Sequence, residues 1–250
     1  MKAVAVIGYK KTGKTTVASA LIRELTKRGY TVAAIKHAHS GLTLPDTDST
    51  KLHQAGAKRV VAISPEKTLD LNMAEKQLWE AITLLQGYDY LIVEGFKSKF
   101  PGYRIVTAKT LEDTKHFKGP LILAYSGPIA SQKPKPQLDK PVIDALTEPE
   151  KLADLVEEKA FHIPPGLDCG FCKYKSCIGL ATAIAKGEAT IKECTVWASP
   201  ISLEVDGQYI ALNPFVQDVL ANVLLGIIKT LKGVPQNPSQ ISLKFTPRKE

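Results

Sequence analysis

Short apolar, largely β-branched runs recur along residues 1–160, and between them lie stretches whose apolar positions fall three and four residues apart. The runs predict strands at residues 3–7, 31–35, 59–63, 90–93, 104–107, 121–124 and 141–143. The stretches predict helices at residues 14–28, 49–55, 73–85 and 149–159. Strand alternating with helix is the signature of an α/β fold, here a largely parallel sheet flanked by helices. Residues 131–141 hold three prolines and three lysines and read as a loop inside this unit, because an apolar strand and a helix follow them.

The pattern breaks at Ile163-Pro164-Pro165-Gly166, which places a domain boundary there: residues 1–162 form one unit and residues 163–250 a smaller α+β unit. In the second unit, residues 201–205 and 208–212 flank Asp206-Gly207, the dipeptide that a two-residue hairpin turn favours. A helix from Pro214 and a last strand at residues 241–245 complete the expectation. The apolar stretch 215–231 is broken by Gln217, Asp218, Asn222 and Lys229, so it reads as an amphipathic helix with no membrane insertion.

Composition changes this picture little. Of 250 residues, 44% are hydrophobic and 23% charged, which excludes a disordered or fibrous chain and implies a packed core. The net charge of +8 favours anionic partners such as nucleotide phosphates; with no nucleic-acid-binding motif in the chain, a nucleic-acid partner is not expected. The apolar run 3–7 is too short for a signal peptide, and all four cysteines cluster between Cys169 and Cys194. Both features fit a cytoplasmic, reducing compartment and metal binding rather than disulfides.

Chemistry enters at Gly8-Tyr9-Lys10-Lys11-Thr12-Gly13-Lys14-Thr15, which matches G-x-x-x-x-G-K-S/T directly after a predicted strand and before a predicted helix. Such a P-loop wraps backbone N–H groups around phosphates while the helix N-terminus adds its positive dipole end. The fold expected of residues 1–162 is therefore of the P-loop NTPase type. The loop from Gly8 through Thr16 is the nucleotide cradle: Lys14 reaches the β- and γ-phosphates, Thr15 ligates Mg²⁺ and Thr16 touches the α-phosphate. Tyr9 stands where one ATPase subclass carries a signature lysine, and the guanine-reading N-K-x-D motif is absent, so motifs alone leave the base open.

A second acidic group is expected at the end of a neighbouring strand. Glu94, closing Tyr90-Leu91-Ile92-Val93, fits a Walker-B-type carboxylate that orients metal or water; the bland alternative is a carboxylate capping the following turn. In the polar loop after the second strand, Asp46 or Asp48 is a candidate to complete the metal shell, with Asp48 equally readable as a helix N-cap. His37 and His39 are candidate anion contacts or exposed loop residues without a role.

These residues together resemble a known family. The loop Gly8 to Thr16, the strand end Ile35-Lys36-His37, Asp48-Ser49 followed by Ala55-Gly56-Ala57, and Val93-Glu94-Gly95-Phe96-Lys97 are similar to the molybdopterin-guanine dinucleotide biosynthesis protein B family, MobB, over about residues 1 to 160. The resemblance implies GTP binding with weak hydrolysis, a homodimer, and partnership with molybdopterin and with the MobA-like guanylyltransferase that joins GMP to it. It implies phosphate and Mg²⁺ contacts for Gly13, Lys14, Thr15 and Thr16, and the acidic role for Glu94. Other P-loop functions stay open: a small-molecule kinase or ligase, or a nucleotide-dependent switch acting on the second unit.

That second unit carries Cys169-x₂-Cys172-x₄-Cys177-x₁₆-Cys194, a closed set of four thiols. Four thiolates suit a 4Fe-4S cluster or a tetrahedral zinc ion, but only the first pair has the C-x-x-C spacing of a zinc knuckle. The pattern resembles the 4Fe-4S domain of corrinoid iron–sulfur proteins. Iron–sulfur, zinc and unmetallated thiols are the readings in that order.

Overall fold

The computed structural model describes every residue except 39, 40, 43, 45, 73, 206, 236 and 245–250. In chain order the elements are β1 (Lys2–Gly8), α1 (Lys14–Lys27), β2 (Val32–Lys36), α2 (Asp48–Gln54), β3 (Arg59–Ile63), β4 (Thr68–Asn72), α3 (Leu78–Leu84), β5 (Tyr90–Glu94), β6 (Arg104–Thr107), α4 (Leu111–Thr114), β7 (Ile122–Ser126), α5 (Pro149–Lys159), α6 (Cys177–Ala185), β8 (Leu203–Val205), β9 (Gln208–Ile210) and α7 (Pro214–Ile228).

The main sheet has five strands in the order β2-β5-β1-β6-β7. Every pairing in it is parallel. β1 is central and buried on both faces, as a near-continuous apolar strand demands. Its residues alternate between two cores: Val4 and Val6 pack with Leu21 and Leu25 of α1 and Leu152 and Val156 of α5, while Ala3, Ala5 and Ile7 face Leu78 and Ile82 of α3, Phe100 and Tyr125. Each fully buried side chain of this size contributes about 1.5–3 kcal/mol. Arg28, next to α1, pairs with Asp154 at 2.7 Å and Glu157 at 3.1 Å, fixing α5 against α1.

The expected strands 59–63 and 141–143 and the expected helix 73–85 depart from the sequence pattern. The predicted strand 59–63 is real but belongs to a separate antiparallel hairpin with β4, whose alternation at residues 68–72 the pattern had not assigned. A β-branched run specifies a strand, not its partner, and the short turn closed by Ser64 N–H to Lys67 O at 2.9 Å supplies a local one. The predicted strand 141–143 reduces to a single bridge of Val142 with Tyr125 at the sheet edge. The helix expected at 73–85 begins only at Leu78, where Gln77 and Glu80 form a capping box; Met73 lies outside the described residues.

After Ile163, itself buried in the first unit's core, the chain enters the second unit. Its small core joins Leu180, Cys194 and Val196 with Leu167 and Tyr174. α6 starts at Cys177, where Ser176 caps it by accepting the Gly179 N–H at 3.0 Å. β8 and β9 form the expected hairpin, with Gly207 at φ 77°; Asp206 lies outside the described residues. Residues 241–244 are not in a strand, a correction to the pattern, and residue 245 is outside the described set. Among the described residues no helix is long and apolar enough to cross a membrane.

Candidate functional site

β1 delivers the chain into the glycine-rich loop and α1 carries it away. Gly8 is needed for close approach: a Cβ there would stand 2.4 Å from the carbonyl oxygen of Thr107 on β6. Thr12 is buried and locks the loop from within, its Oγ1 2.9 Å from the Tyr9 carbonyl and 2.7 Å from Thr107 Oγ1. Gly13 is the N-cap of α1 at φ 85°, and no side chain caps the helix. The first amides of α1 are thus left for a ligand, the arrangement that binds phosphate.

Lys14 curls back over this loop, its Nζ 2.5 Å from the Tyr9 carbonyl. Desolvation lowers its pKa, opposed by the nearby Glu94 carboxylate and reinforced by Lys97 and Lys36. Glu94 comes from the neighbouring strand β5, in register with Val6 of β1 and Lys36 of β2. Thr15 Oγ1 donates to Glu94 Oε1 at 2.9 Å, with Oε2 at 3.0 Å. The motif hydroxyl and the acid picked from the sequence therefore meet, although they lie far apart in the chain. Lys36 Nζ stands 3.8 Å from Glu94 Oε2.

The remaining candidates fall elsewhere. Tyr9, Lys10 and Lys11 are exposed on the outer turn of the loop, and Thr16 is exposed on the first turn of α1. Asp48 is not the N-cap of α2: Thr47 holds that place in a capping box with Thr50. The Asp48 side chain is 97% exposed and pairs with Lys51 at 3.3 Å. Asp46 is likewise exposed. His37 stacks on Phe96 at 4.4 Å and packs against Gly95, while His39 lies outside the described residues. Lys36, Lys97 and Thr107 were not singled out individually from sequence, since strand order alone brings them to the loop.

The four cysteines converge from separate segments on one pocket, lined also by Pro164, Pro165 and Leu167. All four are free thiols. Asp168, at φ 46°, accepts the Cys177 N–H at 2.7 Å, and its own N–H points to Cys177 Sγ at 3.3 Å. Burial pushes the Cys177 thiol up to about 11, and it raises Cys194 as well. A cation at this pocket would reverse that shift, because thiolates, not thiols, are its ligands. Among the described residues no group of three or more His, Cys, Asp or Glu side chains is close enough to hold a metal ion as it stands, although all four thiols line this one pocket.

A family profile described as "Molybdopterin guanine dinucleotide synthesis protein B" matches residues 3–124. A relative from Methanocaldococcus jannaschii, named "Putative molybdopterin-guanine dinucleotide biosynthesis adapter protein", is 30% identical over 249 residues, 98% of this chain and 97% of its own length. The chain belongs to the MobB family. The MobB family's adapter protein from Haemophilus influenzae is 29% identical over 168 residues, 63% of this chain and 88% of that one. The crystal structure of Bacillus subtilis MobB shares the fold, with a TM-score of 0.53 at 23% identity over 64% of this chain and 98% of that chain. A second profile, described as "Putative Fe-S cluster", matches residues 165–196, the segment that holds all four cysteines.

Proposed function

We propose that this chain is a GTP-binding adapter of molybdopterin guanine dinucleotide biosynthesis. Mg–GTP lies in the loop from Gly8 to Thr16, and hydrolysis is weak at most. The observation that carries this reading is the meeting of Thr15 with Glu94 at 2.9 Å beside the uncapped start of α1. A hydroxyl and a carboxylate placed together at the mouth of the loop are the groups that would hold a divalent cation beside a bound triphosphate. Family membership supports guanine as the base and a MobA-like guanylyltransferase and molybdopterin as partners, in the cytoplasm. Asp48 stays a candidate for the metal shell only if a nucleotide draws its loop inward, since at rest it pairs with Lys51.

In the second unit we propose a 4Fe-4S cluster held by Cys169, Cys172, Cys177 and Cys194. The fit rests on the donor set: four thiols with neither histidine nor carboxylate beside them in the pocket lining. Four thiols without a nitrogen donor are a usual ligand set for an iron–sulfur cluster, and the "Putative Fe-S cluster" profile over residues 165–196 supports that reading over a zinc ion. The cluster would supply electron-transfer or structural capacity, and this chain's part is to bring the thiols together and shield them with Leu180 and the prolines.

Side-by-side titration of GTP and ATP with Mg²⁺ into the full chain tests the first proposal. Lys14→Ala is expected to weaken triphosphate binding about 10- to 150-fold, the value of one charge-assisted hydrogen bond. Unchanged affinity in a folded variant overturns the assignment, and a phosphorylated small molecule among the products would mark a kinase instead.

A further inference from the structure

A second recess lies behind the phosphate loop. Its walls include Ile7 and Ile122, which belong to the core on the sheet face opposite α1, and its volume is about 330 Å³. That is the lower end of the range for ligand pockets, ~300–1,000 Å³, enough for a small organic molecule. Its polar lining holds the cations Arg104, Lys97 and Lys118 together with His116 and Ser98, and no carboxylate.

Arg104 is the telling group. It is half-buried at the start of β6; its Nη2 donates to the Phe100 carbonyl at 2.9 Å, while its buried Nε meets no acceptor among the described residues. No ion pair to Arg104 exists among the described residues either. A partly buried guanidinium without a counter-charge is costly, and the cost falls when an anion arrives. Burial accordingly lowers its pKa. The planar fork suits phosphate oxygens. Lys118 and His116 are exposed at the mouth, where they would draw an anion inward. Tyr9 and Phe117 meet edge-on at 5.5 Å and give the recess an aromatic wall, with Lys97 Nζ 4.3 Å from the Tyr9 ring centroid.

We infer that this recess is a second anion site, separate from the phosphate loop, that takes a small phosphate monoester carrying an aromatic ring. The phosphate meets Arg104 and the lysines, and the ring lies against Tyr9 and Phe117. Because Tyr9 belongs to both the loop and the recess, the two ligands would touch the same side chain.

The probe is phenyl phosphate, titrated calorimetrically into the full chain, with inorganic phosphate as the ringless control. Wild type is expected to bind phenyl phosphate more tightly than inorganic phosphate. Arg104→Gln should weaken it about tenfold or more, the loss of one charged hydrogen bond. Lys14→Ala, which removes only the bond to the Tyr9 backbone carbonyl at the recess wall, should weaken it far less than Arg104→Gln does. Since Arg104→Gln also removes the bond to Phe100, Lys118→Gln, at the exposed mouth, serves as the second variant and should weaken binding severalfold with the fold untouched. No binding by wild type, or binding lost in Lys14→Ala but kept in Arg104→Gln and Lys118→Gln, overturns the inference. Failure of the phosphate-loop reading looks different: GTP affinity would then be indifferent to Lys14→Ala.

Discussion

The contact between Thr15 and Glu94 joins two side chains 79 residues apart in the chain, the pair on which the proposed phosphate site rests. Each was legible alone: Thr15 from the contiguous loop motif, Glu94 from an acidic residue ending an apolar strand. Lys36 and Arg104 were not, since their importance depends on which strand stands beside which. Glu94→Gln keeps size and loses charge, so it should slow Mg²⁺-dependent hydrolysis by at least about tenfold, about 1.4 kcal/mol of barrier, while changing GTP affinity less. Comparing single-turnover hydrolysis with equilibrium binding separates the two, and equal losses would give Glu94 a structural role instead. Asp48 shows the opposite case. A carboxylate near a helix start reads as a cap, but Thr47, one residue earlier, has the extended backbone that an N-cap needs, with φ −135°.

Among elements, the helices α1 and α5 were the most readable, because their apolar stripes face one core and their ends are marked, α5 by Pro149 at its start. The hairpin β3–β4 was the least. It stands outside the main sheet and exposes Val61, Ile63 and Leu69, with Ile63 at 82%. A lone two-stranded ribbon is marginal in water, and exposed apolar strand positions invite pairing. The family resemblance implies a homodimer, and these exposed apolar strand positions make the ribbon the face at which two copies would pair. Sedimentation equilibrium should find a dimer for the full chain and a shift towards monomer, by about tenfold or more in dissociation constant, for Ile63→Asp, since burying an unpaired charge costs several kcal/mol. A wild-type monomer at micromolar concentration, or an Ile63→Asp dimer of unchanged strength, would rule the ribbon out.

At the scale of the whole molecule, short-range packing ties the chain around residues 162–166, the expected boundary, to the rest of the fold. Ile163 donates its N–H to the Met1 carbonyl at 3.1 Å, a Cβ on Gly166 would fall 2.5 Å from Thr83 Oγ1, and His162 lies against Trp197 at 4.8 Å. Burial there lowers the His162 pKa, with the amino terminus and Lys2 adding to the effect. The cores remain separate, with Leu180 and Val196 on one side and Leu78 and Ile82 on the other. Loss of one cysteine should therefore empty the second unit without emptying the first. Protein made and purified without oxygen should contain about four iron and four sulfide per chain, and Cys177→Ala should lose most of both while its GTP affinity stays within about twofold. One zinc and no iron in the wild type would replace the cluster with a structural ion, and loss of GTP binding in Cys177→Ala would deny that the units are separable.

Readable from the chain alone is whatever its chemistry writes contiguously. The phosphate loop is a run of neighbouring residues whose glycines and helix start act locally, the four cysteines declare themselves by spacing, and buried strands appear as apolar runs because burial on both faces tolerates little else. Adjacency, by contrast, comes from the packed fold. The order β2-β5-β1-β6-β7 carries Glu94 to Thr15 and Thr107 under Gly8, and it sets Arg104 behind Tyr9. The same packing sent β3 to a hairpin instead of the sheet. Hydrophobic pattern specifies that a segment is buried and extended, but burial has no direction along the chain. Which neighbour a strand takes is settled by the packing of all the elements at once.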